Sequence, residues 1–228
     1  MQGTDVVREV VQIPAGNVLL TGDLIVPPQA AGIVVFAHGS GSSRRSPRNK
    51  YVASLLRDSN LGTLLFDLLT PEEESIDIRT RHLRFDIPLL ARRLVAATRW
   101  LKGQEEAEEL PIGFFGASTG AAAALVAAAE LGDIVRSVVS RGGRPDLAGE
   151  SLSKVTSPVL LIVGGLDDLV IRLNEEACAR LRCETELKII TGATHLFEEP
   201  DKLEEVADLA ADWFKRHMGR AANAKTSG

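Results

Sequence analysis

Short apolar runs alternate along the chain with longer segments of helical periodicity. The runs at residues 33–37 and 62–66, and the one that begins at Ile112, are too short for helices and predict buried strands. Strands are also predicted over residues 134–140, 159–163 and 187–190. The segments of helical spacing cover residues 47–58, 81–102, 121–130, 173–181 and 201–217. This alternation predicts an α/β fold with a mostly parallel central sheet and helices on both faces.

The first residues show a different pattern. Residues 5–12 alternate apolar and polar positions, a turn is predicted over residues 14–17, and residues 18–26 again favour a strand. The two strands predict an antiparallel hairpin at one edge of the sheet. Residues 68–80 are acidic and are predicted to be irregular, and residues 104–109 are predicted to form a charged surface linker.

The chain is predicted to form one domain over residues 1–220, with a disordered tail over the small, polar residues 221–228. The interval between the strands that end at Ser140 and begin at Val159 is short. A large lid domain is therefore not expected there, and the active site is predicted to be open.

Composition excludes some classes of function. The 228 residues carry a net charge of -5 with both signs interspersed, which is unlike the basic face of a nucleic-acid-binding protein. No apolar run reaches the ~18 residues of a membrane span, and the N-terminus lacks the features of a signal peptide. A cytoplasmic location is the expectation. Cys178 and Cys183 are not spaced as C-x-x-C, so we expect both to be reduced and structural.

The segment Gly116-Ala117-Ser118-Thr119-Gly120 matches the G-x-S-x-G pattern of a nucleophile elbow. An apolar strand precedes it and an alanine-rich helix follows, which is the context that the motif requires. The serine stands in a sharp turn, and small flanking residues let strand and helix pass closely. The alternative is that Ser118 caps the following helix.

Functional groups in open α/β sheets gather at the carboxyl ends of the strands. There the sequence offers Ser118, Asp167 and His195, in the chain order of an α/β-hydrolase triad. His195 would serve as the base and Asp167 would orient it. Asp168 is the alternative carboxylate, and His195 could instead be an ordinary surface histidine. The other histidines have structural or surface roles in this interpretation: His38, His82 and His217.

An oxyanion hole needs two N–H groups near the nucleophile. We predict the N–H of Thr119 and one from the glycine-rich loop after residue 37, with Ser40 favoured over Gly39 and Gly41. A phosphate-binding loop is the competing interpretation of this segment. However, it lacks the Lys-Ser/Thr pair of a Walker motif, and G-x-G-x-x-G is also absent.

Two arginines, Arg141 and Arg144, follow the strand at residues 134–140 and are candidate substrate-binding residues for an anionic group. The alternative is that they pair with the acidic residues 72–74 or with Asp146. The arginines of the glycine-rich loop are more simply explained as solvated loop residues, although a charged rim around the site is possible: Arg44, Arg45 and Arg48.

These motifs together resemble the α/β-hydrolase superfamily and, within it, the small lid-less dienelactone hydrolase-like group. The segments that carry the resemblance are residues 38–42, 116–120, 164–167 and 192–197. The resemblance implies a sheet of about eight strands, ester-type substrates and a mechanism without metal or cofactor. One departure is informative: dienelactone hydrolases proper use a cysteine nucleophile, and this chain has Ser118 in that place.

The sequence therefore predicts a serine hydrolase that cleaves small esters or lactones through an acyl-enzyme on Ser118. Two alternatives remain: an acyltransferase or thioesterase with the same triad, and a non-catalytic ligand receptor on the same fold. The predicted partner is a small-molecule substrate, with no nucleic acid or membrane. The sequence leaves the chain as a monomer or a homodimer.

Overall fold

The computed structural model describes residues 7–219. The tail predicted over residues 221–228 lies outside the described residues, as do the first two residues of the predicted hairpin. Eight strands form one sheet. In chain order they are β1 (Val7–Ala15), β2 (Val18–Val26), β3 (Ile33–Ala37), β4 (Gly62–Phe66), β5 (Ile112–Ala117), β6 (Val135–Arg141), β7 (Val159–Gly164) and β8 (Thr185–Ile190).

The spatial order of the strands is β1-β2-β4-β3-β5-β6-β7-β8. β1 and β2 pair antiparallel, as do β2 and β4, and the remaining pairs are parallel. This confirms the predicted α/β class, the antiparallel edge and the eight-strand sheet. The parallel strands end at one edge of the sheet, where the polar residues of the predicted site also lie.

Six α-helices lie within the described residues. They are α1 (Pro47–Asp58), α2 (Pro71–Thr80), α3 (Ile87–Leu101), α4 (Thr119–Leu131), α5 (Asp168–Arg180) and α6 (Lys202–Met218). Short 3₁₀ segments cover Leu83–Phe85, Gly132–Ile134 and Pro145–Lys154. No helix within residues 7–219 has both the length and the apolar composition needed to cross a membrane.

The sheet is covered on both faces by apolar helix surfaces. On one face α3, α4 and α5 pack on the sheet, and on the other α1 and α6 do so. Every residue of β3, β4, β5 and β7 is buried, as expected for central strands with two covered faces. α4 is rich in alanine, and its small side chains let it lie close against the central strands.

Two segments differ from the sequence prediction. The region expected to be irregular over residues 68–80 contains α2, because Thr70 and Glu73 form a capping box and Pro71 occupies the first turn. The single helix expected over residues 81–102 is divided, because the Asp86 side chain accepts the Leu89 N–H and starts α3 anew.

Other boundaries moved by a few residues. β1 continues through Pro14 and Ala15, which pair with β2 instead of forming the turn. α5 begins at Asp168, five residues before its predicted start at Leu173, because the Asp167 carboxylate caps it. Only the 3₁₀ segment Pro145–Lys154 separates β6 from the strand β7, so the expectation of no large lid is confirmed.

Candidate active site

Ser118 lies in a sharp turn between β5 and α4. Its backbone angles are φ 51° and ψ −122°, a left-handed conformation that is unfavourable for any residue with a Cβ. Ser118 occupies the N-cap position of α4, yet its side chain makes no capping hydrogen bond. The hydroxyl is therefore not used to cap the helix, which removes the structural alternative for this residue.

The small residues around Ser118 are required by close backbone contacts. A Cβ at Gly116 would lie 2.4 Å from the Cα of Ala121, and one at Gly120 would lie 2.2 Å from the carbonyl oxygen of Ala37. Both distances are far below van der Waals contact. The glycines of the motif thus allow α4 to cross β5 and β3 directly behind the serine.

Asp167 and His195 meet at the ends of neighbouring strands β7 and β8. The Nδ1 of His195 lies 2.7 Å from Oδ2 of Asp167, while Oδ1 accepts the N–H of Val170 at 3.4 Å. One carboxylate therefore both caps α5 and orients the imidazole. Within the described residues Asp168, the alternative carboxylate, makes no hydrogen bond to this histidine.

Two glycines bring the loops of the site together. A Cβ at Gly164 would lie 2.5 Å from the carbonyl oxygens of Ala193 and Thr194, so the loop carrying Asp167 packs directly on the loop carrying His195. Gly142, with φ 51°, lies on the other side of the histidine: its Cβ would be 3.5 Å from Cε1 of the imidazole. The ring is thus held between the loops that follow β6 and β7.

Ser118 and His195 line one pocket of about 200 Å³ at the carboxyl edge of the sheet. The pocket opens beside the glycine-rich loop that follows β3. Its other lining residues are Gly39, Ser40, Ser42, Ser46, Arg48, Asn49, Ala117, Arg141 and Leu196.

The predicted oxyanion-hole residues are neighbours in space. The N–H of Ser40 donates to Oγ1 of Thr119 at 2.9 Å, across 79 positions of sequence. Thr119 is the first residue of α4, so its own N–H has no acceptor inside the helix. Gly39 lies against the serine, since a Cβ there would be 3.2 Å from the Cβ of Ser118.

The other histidines lie outside this pocket. His38 is buried, accepts the N–H of Leu68 on Nε2 at 3.0 Å, and has its Nδ1 3.0 Å from the Gly39 carbonyl, so it supports the loops after β3 and β4. His82 contacts the Thr80 hydroxyl at 2.8 Å. His217 stacks on Trp213 at a ring-centroid distance of 4.3 Å. These contacts agree with the structural or surface roles predicted for the three residues.

The two candidate substrate-binding arginines have different surroundings. Arg144 forms two hydrogen bonds to the Asp146 carboxylate, at 2.9 and 2.8 Å, and does not line the pocket. Asp146 raises the pKa of Arg144 by these bonds. Arg141 is the last residue of β6, pairs in register with Ala117 and lines the pocket. The alternative given for both arginines was pairing with acidic side chains. Arg144 does pair with Asp146, whereas Arg141 lines the pocket and has no acidic partner among the described residues.

Sequence reasoning missed Asn49 as a residue of the site. Its side chain is only 3% exposed and lines the same pocket, and its Oδ1 has no hydrogen-bond partner among the described residues. The sequence feature that could have indicated Asn49 is its position in the first turn of α1, close behind the glycine-rich loop. It lies three residues after Ser46, whose side chain caps the helix.

Cys178 and Cys183 are free thiols, both partly buried. Burial raises the pKa of each, so both are predominantly protonated near neutral pH. Within residues 7–219, no cluster of three or more histidine, cysteine, aspartate or glutamate side chains is placed to hold a metal ion.

Eight strands in this order, with a serine elbow after β5, an aspartate after β7 and a histidine after β8, define an α/β-hydrolase fold. Residues 69–219 match the model of the dienelactone hydrolase family, and the chain belongs to that family.

Solved structures of other proteins have the same fold. A dienelactone hydrolase from Anabaena variabilis is 57% identical, with a TM-score of 0.91 over 93% of this chain and 98% of that one. The protein Est1E from Butyrivibrio proteoclasticus has a TM-score of 0.76 over 92% of this chain and 98% of its own, at 16% identity. At that identity Est1E supports the fold alone.

Two curated relatives from Mycobacterium tuberculosis carry a different name. Both are called "Putative phosphoribosyl transferase" and are 59% identical over 210 residues. The match covers 92% of this chain but only 46% of each relative. The chain thus spans about half the length of the curated relatives it matches.

Proposed function

We propose that the protein is a serine hydrolase that cleaves small carboxylic esters or lactones through an acyl-enzyme on Ser118. The observation that carries this proposal is a strained serine with an uncapped hydroxyl that shares a pocket with a histidine, which is itself bonded to a carboxylate. Membership of the dienelactone hydrolase family supports the same chemistry.

In this mechanism His195 takes the proton of the Ser118 hydroxyl as the oxygen attacks the substrate carbonyl carbon. The resulting tetrahedral intermediate collapses, the leaving alkoxide receives that proton from His195, and Ser118 keeps the acyl group. Water, deprotonated by His195, then attacks the acyl carbon and releases the acid, and the proton returns to Ser118. Asp167 stabilises the imidazolium that forms in each half-reaction.

The negative charge on the tetrahedral oxygen needs N–H donors. We assign these to Thr119, whose N–H has no acceptor inside α4 because Thr119 is the first residue of that helix, and to Ser40. The Ser40 N–H donates to the Thr119 hydroxyl. We infer that the oxyanion replaces this hydroxyl as the acceptor, so the loop is held in position before the substrate binds.

The name of the mycobacterial relatives does not require a transferase activity of this chain. More than half of each relative lies outside the match. The part of this chain that matches contains its serine elbow and its histidine–aspartate pair. We infer that this chain catalyses hydrolysis and not phosphoribosyl transfer.

The first test is labelling with a fluorophosphonate probe, followed by mass spectrometry of the modified peptide. We expect labelling on Ser118 that is lost in His195→Ala. Ser118→Ala should lower ester turnover by several orders of magnitude, as loss of a triad nucleophile does. Ser153→Ala, remote from the pocket and exposed, is the matched control and should leave both readouts unchanged.

Full esterase activity in Ser118→Ala would contradict the proposal. Absence of labelling in the folded protein would instead favour the non-catalytic receptor. The open pocket lets water reach the acyl-enzyme, which favours hydrolysis over transfer to another acceptor. Rates with matched oxygen esters and thioesters distinguish an esterase from a thioesterase. Product ratios with water and with added alcohol or amine distinguish hydrolysis from transfer. The cytoplasmic location and the monomeric or homodimeric state remain predictions.

A further inference from the structure

The side-chain hydroxyl of Thr119 is a buried donor without an acceptor. Thr119 is 3% exposed, and its Oγ1 accepts the N–H of Ser40 at 2.9 Å. Within the described residues this hydroxyl donates no hydrogen bond of its own. A hydroxyl carries one donor and two acceptor positions, so the group is used as an acceptor and unused as a donor. Buried polar hydrogens of this kind are uncommon and call for an explanation.

Other threonines in the helices of this chain donate to a carbonyl oxygen one turn earlier. The Thr98 hydroxyl donates to Leu94 at 2.8 Å, and the Thr80 hydroxyl donates to Ile76 at 3.1 Å. Thr119 is the first residue of α4, so the position four residues before it lies in β5 and not in the helix. The acceptor that a helical threonine ordinarily uses is therefore missing at this position.

The peptide unit between Gly39 and Ser40 is held at both ends. Its carbonyl oxygen accepts the N–H of Ser42 at 3.2 Å and lies 3.0 Å from Nδ1 of His38. Its N–H donates to the Thr119 hydroxyl. Because the peptide is planar and trans, its carbonyl and its N–H are directed to opposite sides. The contacts on the carbonyl therefore also fix the direction of the Ser40 N–H, which is toward Thr119.

This arrangement lies beside the candidate nucleophile. A Cβ at Gly39 would lie 3.2 Å from the Cβ of Ser118, and Thr119 follows Ser118 in the turn. The N–H of Ser40, the N–H of Thr119 and the Thr119 hydroxyl thus converge next to Ser118. Two of these three donors are the backbone groups already assigned to the oxyanion hole.

We propose that the Thr119 hydroxyl is a third donor of the oxyanion hole. It holds the Ser40 N–H before the substrate binds, and it donates its own proton to the tetrahedral oxygen when that oxygen replaces it as the acceptor of Ser40. The hydroxyl keeps its proton throughout, so only hydrogen bonds change. This role rests on the proposed hydrolase function and adds a side-chain donor to the two backbone donors.

The kinetic test removes the hydroxyl and keeps the shape of the side chain. Thr119→Val exchanges the hydroxyl for a methyl group. With 4-nitrophenyl acetate we expect its kcat to fall about 10²- to 10³-fold with little change in KM, because an oxyanion-hole donor acts on the transition state. Thr119→Ser keeps the hydroxyl and loses only the methyl group that restricts its rotation, so we expect it to retain most of the activity.

Thr80→Val is the matched control, since it makes the same exchange on an exposed helix outside the pocket and should leave kcat unchanged. Wild-type kcat in Thr119→Val would overturn the role. A Thr119→Ser variant as slow as Thr119→Val would also overturn it, because the hydroxyl would then not be the group that matters. Urea unfolding of both variants checks that the fold is kept.

A crystal structure of the wild-type protein with a trifluoromethyl ketone tests the geometry directly. The nucleophilic serine adds to the ketone carbon, and the hemiketal oxygen occupies the place of the oxyanion. We expect this oxygen within about 3 Å of Oγ1 of Thr119 and of the two backbone nitrogens. A hemiketal oxygen beyond hydrogen-bond distance of Oγ1, with Ser40 still bonded to the hydroxyl, rejects the third donor.

Failure of the proposed function gives a different result. A wild-type protein that neither hydrolyses the ester nor forms the adduct on Ser118 removes the hydrolase function, and the role of Thr119 is rejected with it. A wild-type protein that does both, combined with an unimpaired Thr119→Val, rejects the role of the hydroxyl alone.

Discussion

The strained backbone at Ser118 gives a stability prediction that is independent of any substrate. The residue has φ 51° and ψ −122°, where a Cβ is unfavourable and glycine is not. Such conformations cost about 1–3 kcal/mol. Ser118→Gly relieves this strain, and Ser118→Ala does not. Both remove the hydroxyl, and neither loses a cap, because the Ser118 side chain makes no capping bond.

The comparison of these two variants isolates the strain. Glycine also increases the entropy of the unfolded chain, which offsets about 0.4–1 kcal/mol of the gain. We therefore expect Ser118→Gly to be more stable than Ser118→Ala by about 1–2 kcal/mol. For a domain of this size that difference raises the thermal midpoint by roughly 2–8 °C.

Urea unfolding followed by circular dichroism measures the difference in free energy, and equal slopes of the two transitions would show that the unfolded states are comparable. If Ser118→Gly is no more stable than Ser118→Ala, the turn is not strained in the way argued here. The geometric case for Ser118 as an exposed nucleophile would then be weakened as well.

Three further changes test the orienting carboxylate, the elbow and the buried histidine beside the glycine-rich loop. Asp167→Asn keeps a side chain that can cap α5 but favours the wrong imidazole tautomer, so we expect turnover to fall about 10³- to 10⁴-fold with little change in the urea midpoint. Gly120→Ala places a Cβ 2.2 Å from a carbonyl oxygen and should destabilise the protein by about 3 kcal/mol or more in urea unfolding, whereas Gly103→Ala, with ordinary contacts, should be nearly neutral. Burial lowers the pKa of His38, so the unfolded chain binds a proton at this residue more tightly than the folded chain does. The burial of neutral His38 therefore contributes its full stability above the ordinary histidine pKa, and that contribution is lost as the pH falls below it. The drop in urea midpoint between about pH 7.5 and about pH 5.5 should therefore be smaller in His38→Gln, and an unchanged drop would contradict this.

The parts of the fold that sequence predicted well depend on local patterns. The strands around Val35 and Leu161 are continuous apolar runs, and the elbow is defined by glycines that no other residue could replace. The missed helix α2 was hidden by its three consecutive glutamates, which suggest a loop by composition. Those acidic residues are favourable in the first turn of a helix, and the Thr70 capping box marks its start.

The pocket wall could be predicted only in part, because its residues come from distant parts of the chain. Arg141 and Arg144 both follow a strand and were equivalent by position. They differ because Arg144 bonds to the nearby Asp146 carboxylate, whereas Arg141 is buried and bonds to no acidic side chain among the described residues. Asn49 carried no motif at all. Its role depends on where α1 packs against the glycine-rich loop, which is a property of the tertiary structure.

Two energetically unfavourable features lie in the same small volume. Ser118 has a strained backbone. Arg141 pairs in register with Ala117, the residue before Ser118, and its buried charge has no hydrogen-bond or ion-pair partner among the described residues. Neither feature stabilises the folded chain, and each could be removed by a single substitution. Proteins retain such features at sites where function opposes stability. Their coincidence in a single pocket predicts that Ser118→Gly and Arg141→Met gain stability as they lose activity, whereas Ser118→Ala, which keeps the strain, loses activity without that gain.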